Sequence, residues 1–100
     1  MLTATVALTA SPGRIPEATA YLKELAKAAG AVSGAQVRVY ASLFGPVGQF
    51  LVVSTYDSGG AWDAARQKTA GDARLQNMIQ ESAKSGLFQV GTSRGLWEEL

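Results

Sequence analysis

Gln36-Val37-Arg38-Val39-Tyr40-Ala41-Ser42-Leu43, then Phe44-Gly45-Pro46-Val47-Gly48, then Gln49-Phe50-Leu51-Val52-Val53-Ser54-Thr55-Tyr56: this run decides the fold. In its first part apolar and polar residues alternate, and a strand sends successive side chains to opposite faces. Its last part is β-branched and aromatic and apolar on both sides, as in a strand covered on both faces. The five residues between them are short and rich in turn formers, so the two strands are expected to pair as an antiparallel hairpin.

Upstream, Leu2, Ala4, Val6 and Leu8 alternate mainly with threonines, which predicts a half-buried strand ended by Ser11-Pro12-Gly13. From Ile15 the period lengthens. Ile15, Ala18, Leu22, Leu25 and Ala29 recur at steps of three and four and form one helical stripe, with Lys23, Glu24 and Lys27 left for water. Pro16 suits a first turn, Glu17 suits the positive end of the helix dipole, and Gly30 is expected to end the helix.

Downstream, Asp57 or Ser58 can cap a further helix, its first turn loosened by Gly59-Gly60. Residues 61–69 and 72–84 read as helical, with Leu75, Met78 and Ile79 inward. Ala70-Gly71-Asp72 marks the break and Asp72 the second cap. Residues 87–93 then read as a last strand and residues 94–100 as a C-terminal tail.

The 100 residues suit one domain, residues 1–100, with no repeat or linker. The sequence is 47% hydrophobic and only 17% charged, which fits a small domain that hides surface against a partner. Nine basic and eight acidic residues are scattered along it, giving a formal net charge of +1 and no patch for nucleic acid or an anionic membrane. Residues 1–10 alternate with threonine and have no basic residue before Arg14, unlike a signal peptide, and no run is long enough to span a bilayer. A cytoplasmic location is expected. There is no cysteine and no histidine. Thiolate chemistry, disulfides, the commonest haem and zinc ligand, and every Ser-His or Cys-His pair are thereby removed.

The order strand, helix, strand, strand, helix, strand closes most simply as an α+β, ferredoxin-like βαββαβ fold. It is expected to form a four-stranded antiparallel sheet with helices on one face. The other face would carry Gln36, Arg38, Tyr40 and Ser42 beside Thr3, Thr5 and Thr9. Such a face is amphipathic rather than charged, a poor solvent face that suits an interface or a pocket wall.

On these features the chain resembles the dimeric α/β-barrel superfamily, in which two ferredoxin-like protomers pack sheet against sheet. The resemblance runs from Leu2 to about Ser93. It rests on size, element order, the Ser11-Pro12-Gly13 turn, the Phe44-Gly45-Pro46-Val47-Gly48 hairpin and the helix bearing Trp62. Within that superfamily the chain looks most like the NIPSNAP-like and antibiotic-biosynthesis-monooxygenase-like branches. The resemblance implies a homodimer. Members include cofactor-independent monooxygenases, haem-degrading and haem-peroxidase enzymes, isomerases, cyclases and proteins with no demonstrated activity. Haem-binding members generally use a histidine ligand and the polyketide cyclase-like ones a histidine acid/base, so neither chemistry is open to this chain in the usual way. No cofactor and no metal are expected.

The candidate ligand-binding residues are Arg38, Tyr40, Tyr56, Trp62 and Asn77, each with a plainer alternative. Arg38 can hold a carboxylate or phenolate, or make an interface ion pair. Tyr40 and Tyr56, on adjacent strands and expected on one face, can orient a substrate or simply pack. Trp62 can line a pocket or anchor the core. Asn77 would need partners if inward and otherwise faces water. Two functions are compatible with these residues. One is a cofactor-independent, monooxygenase-like enzyme acting on a small aromatic or polyketide-like compound. The other is a non-catalytic module that binds a small molecule or serves assembly. A mostly apolar cavity of roughly 300 Å3 or more would count against the assembly form.

Overall fold

Leu22 and Ala18 have no exposed surface at all, and with Ala10, Phe50 and Leu87 they form the centre of the core. The computed structural model describes all residues 1–100. Its elements run β1 (Leu2–Thr9), α1 (Ile15–Ser33), β2 (Gln36–Ala41), β3 (Gln49–Tyr56), α2 (Gly59–Ala70), α3 (Ala73–Ser85) and β4 (Ser93–Glu98). The strands form one antiparallel sheet in the order β2-β3-β1-β4. This is the expected α+β ferredoxin-like arrangement, its second helical region divided in two. No helix is long and apolar enough to cross a membrane.

Residues directly opposite in an antiparallel ladder share a face. Val6 lies opposite Val52, Leu8 opposite Phe50 and Val39 opposite Val52, so these side chains form the helix-covered face. By the same register Thr3, Thr5, Ala7, Arg38, Tyr40, Leu51, Val53 and Trp97 lie on the open face.

Local signals explain the helix boundaries. The Ser58 side chain accepts the Ala61 N–H at 3.1 Å and starts α2, and Asp72 accepts the Leu75 N–H at 2.9 Å and starts α3. α1 runs past Gly30, its expected end, to Gly34, whose φ of 74° caps it in the left-handed region. Gly30 serves closeness instead: a Cβ there would lie 3.3 Å from the Ala35 carbonyl oxygen, where the chain turns towards β2.

The C-terminal expectation is corrected. Leu87 and Phe88 do run beside β1, with Ser11 N–H donating to Leu87 O and Gln89 N–H to Thr9 O, both at 2.8 Å. Yet Gly86 (φ 66°) and Gly91 (φ 111°) bracket that piece and leave it too short for a strand. The last strand is Ser93–Glu98, which pairs with β1 along six residues, so most of the expected tail belongs to the sheet.

The β1–α1 turn also grips the end of α3. Arg14 Nη1 donates to Ser85 O at 2.6 Å and Ser11 Oγ to Gly86 O at 2.5 Å. Arg14 pairs with Glu17 as well. The side-chain hydrogen bond raises the arginine above its ordinary pKa and holds the Glu17 carboxyl below its own.

Leu22→Ala should destabilise the fold by about 2–5 kcal/mol through the cavity left. Leu22→Asp should abolish folding, because it buries an unpaired charge. Circular dichroism during denaturant titration checks both, and a stable helical Asp variant would contradict this core.

Candidate functional site

Between α1, α3 and the sheet the side chains do not close up. α1 lowers Tyr21, Leu22 and Leu25 onto the sheet, while α3 presents Ile79, Ser82 and Ala83 at helical spacing. Beneath them lie Val6 and Leu8 of β1 and Val52 of β3, and the connection after α3 adds Phe88 and Val90. The hollow, open to solvent on one side, holds about 470 Å3, and ten of its fourteen lining residues are apolar. Ile79, read from the sequence as an inward residue, is 45% exposed because it borders this hollow. The two helices are tied across it: Tyr21 Oη donates to Met78 O at 3.2 Å, and the Tyr21 and Phe88 rings meet at 5.8 Å with a 56° tilt.

The polar groups of the cavity collect towards β4. They include Gln89, Thr92 and Arg94. Arg94 stands opposite Val6 in the ladder and so on the helix-covered face. The chain's two ion pairs are Arg14–Glu17 and Arg66–Asp63, which leaves the Arg94 guanidinium without a carboxylate.

A second cleft, about 370 Å3, lies on the same face between α2 and β4 and shares Val6 and Arg94 with the first. Trp62, Arg66 and Thr69 recur at i, i+4 and i+7 and give α2 one wall; Tyr56 and Leu96 give the sheet its part. Asp63 fixes Arg66: Oδ1 accepts from Nη2 at 3.0 Å, while Gln67 Nε2 donates to Oδ2 at 3.1 Å. The guanidinium then rests 5.0 Å from the Trp62 ring centroid. The half-buried Tyr56 hydroxyl makes no hydrogen bond within the chain, unlike that of Tyr21.

The expected residues are therefore divided between two faces. Arg38 and Tyr40 share the open face, as alternation required, opposite Val53 and Leu51. Tyr40 borders a hollow of about 350 Å3 there with Ala7, Gln49 and Leu51. Tyr56 does not join it. It pairs with Leu2, one strand position out of phase with Leu51, and points to the helices beside Trp62. Arg38 lines none of these three hollows, and Asn77 is exposed on α3. Arg66 and Arg94 were not singled out from the sequence. The signal for Arg94 was the alternation of Arg94, Leu96 and Glu98 with Ser93, Gly95 and Trp97. The signal for Arg66 was its spacing of four from Trp62.

No group of three or more Asp or Glu side chains comes together in a way that would hold a metal ion.

Sheet order and helices on one face define an α+β, ferredoxin-like fold of the kind seen in NIPSNAP and antibiotic biosynthesis monooxygenase-like structures. Among solved structures, a NIPSNAP family protein from Agrobacterium tumefaciens superposes with a TM-score of 0.81 at 18% identity, covering 99% of this chain and 92% of that one. Protein Atu4242 from the same organism gives 0.81 at 14% identity, covering 100% and 94%. A candidate antibiotic biosynthesis monooxygenase from Deinococcus radiodurans gives 0.75 at 20% identity, covering 99% and 92%. At these identities the likeness is one of fold. No family model and no curated protein sequence matches the chain.

On the open face, Trp97 folds back along β4 and its indole Nε1–H donates to Thr5 Oγ1 at 3.0 Å. A Cβ at Gly95 would stand 2.7 Å from that nitrogen and 2.9 Å from the threonine oxygen. Gly95→Ala should therefore break the bond, at a cost of about 1 kcal/mol. In a Trp62→Phe background the remaining tryptophan emission should shift to the red, and an unchanged spectrum would contradict this placement.

Proposed function

We propose that the chain forms a homodimer through its open sheet faces. Each copy would take a small aromatic or polyketide-like compound into the cavity under α1 and α3, as a cofactor-independent, monooxygenase-like enzyme. The observation that carries this reading is the cavity itself, apolar over most of its wall with one unpaired cation, Arg94, at its polar side. Its volume of about 470 Å3 lies within the range of small-molecule sites and counts against a purely architectural role.

The surface supports the pairing. The chain exposes 6638 Å2, and only seven of its 100 residues are fully buried. A monomeric protein of 10.4 kDa exposes about 5,400 Å2. The excess, roughly 1,200 Å2, exceeds the approximately 800 Å2 that each partner contributes to a standard interface. Tyr40, Leu51 and Trp97 supply exposed apolar area on the open face.

The chemistry follows from what lines the cavity. No carboxylate and no histidine is there to remove a proton. A phenolic ligand would ionise beside Arg94, whose permanent charge favours the phenolate. An electron-rich phenolate can itself reduce dioxygen. For a ring with a free para position, one oxygen atom becomes the new carbonyl and the other leaves as water. The substrate gives up two hydrogens and four electrons, and the product is a quinone. The residues' part is to pack apolar side chains against the ring, hold its oxygen and leave the para carbon open to dioxygen. The same absence of a base favours a second reading, in which the cavity binds such compounds without transforming them.

Light scattering at micromolar concentration should report twice 10.4 kDa, and Leu51→Glu should shift the particle towards half that mass. A monomeric parent protein would contradict the pairing.

Binding of 1-naphthol, followed by calorimetry, should weaken by about tenfold in Ile79→Trp, equivalent to roughly 1.4 kcal/mol, with unchanged secondary structure. Catalysis would consume one dioxygen per 1,4-naphthoquinone and place one labelled atom from 18O2 in the product. Binding without oxygen uptake would select the second reading, and no binding would remove both.

A further inference from the structure

The cleft between α2 and β4 has a chemistry of its own. Two guanidinium groups border it, Arg66 and Arg94, and no acidic side chain faces it. Asp63 occupies one edge of the Arg66 fork, from outside the lining, and in doing so fixes the guanidinium against Trp62. The other N–H groups of Arg66 make no hydrogen bond, and those of Arg94 make none at all, while the unpartnered Tyr56 hydroxyl adds a neutral donor. A cation held by its neighbours needs little further ordering to bind, and a planar fork matches a carboxylate.

We propose that this cleft is a carboxylate-binding subsite of the neighbouring cavity, so that the ligand is a largely apolar aromatic acid. Its ring system lies among Leu25, Val52, Ile79 and Phe88, and its carboxylate lies between Arg66 and Arg94. Arg94 links the two parts because it borders both spaces. The Trp62 indole packs against the Arg66 guanidinium and holds it in place for the carboxylate. This inference rests on the reading of the cavity as a ligand site, and it adds the anionic end of the ligand.

The test compares 2-naphthoic acid with 2-naphthamide, which has the same shape and no charge, by calorimetry on the full-length protein. The acid should bind about tenfold tighter than the amide at neutral pH, the difference a charge-assisted pair of bonds supplies. Arg66→Gln, an exposed surface change, should erase most of that preference, because its loss falls far more on the acid than on the amide. Arg74→Gln, which removes the same charge from a part of α3 bordering neither space, should leave the preference intact. Equal binding of acid and amide, or equal losses in the two variants, would overturn the subsite while leaving the cavity a ligand site. Failure of both compounds to bind would overturn the subsite together with the cavity reading.

Discussion

Val6 opposite Val52 and Leu8 opposite Phe50 are the pairings on which everything else depends. They decide which side chains of the two central strands meet α1 and which are left on the bare side. A slip of one residue would exchange the two sets and put Thr5, Thr9 and Leu51 under the helices. The core that results is small, with Leu22 the largest side chain fully enclosed. A core of this size holds one face of the sheet and cannot cover the other, so the same register that folds the chain also leaves that second face without helices.

The cavity follows from the same limits. α1 spans 19 residues and covers the sheet from one side, but α3 meets it mainly through Tyr21 and Met78 rather than along its length. On the α3 side, Ser82 and Ala83 are too small to reach the sheet residues Val6 and Val52. Space is left, and it is left next to the one strand that carries an unpaired arginine on its inner face.

Much of the fold was legible because the signals were local. The hairpin at Phe44–Gly48, the stripe from Ile15 to Ala29 and the caps at Ser58 and Asp72 each lie within a few residues of what they determine. The end of the chain was not legible in the same way. Leu87-Phe88-Gln89-Val90 has better strand composition than Ser93-Arg94-Gly95-Leu96, yet Gly86 and Gly91 turn the first away, while pairing with β1 recruits the second. That choice is tertiary, and composition does not encode it. The site suffered from the same error. With residues 94–100 read as a tail, Arg94 had no face, and the open side of the sheet was the natural place to look for Arg38 and Tyr40. Trp62 and Tyr56, singled out from the sequence, do border one cleft, but their neighbours there include residues of β4.

The hydrogen bonds from Ser11 and Arg14 to the carbonyls of Ser85 and Gly86 join chain segments more than seventy residues apart. They act as a latch between the entrance to α1 and the exit from α3. Both acceptors are main-chain carbonyls, so a side-chain change at residue 85 or 86 leaves the fastening in place, whereas a change at Ser11 or Arg14 removes part of it.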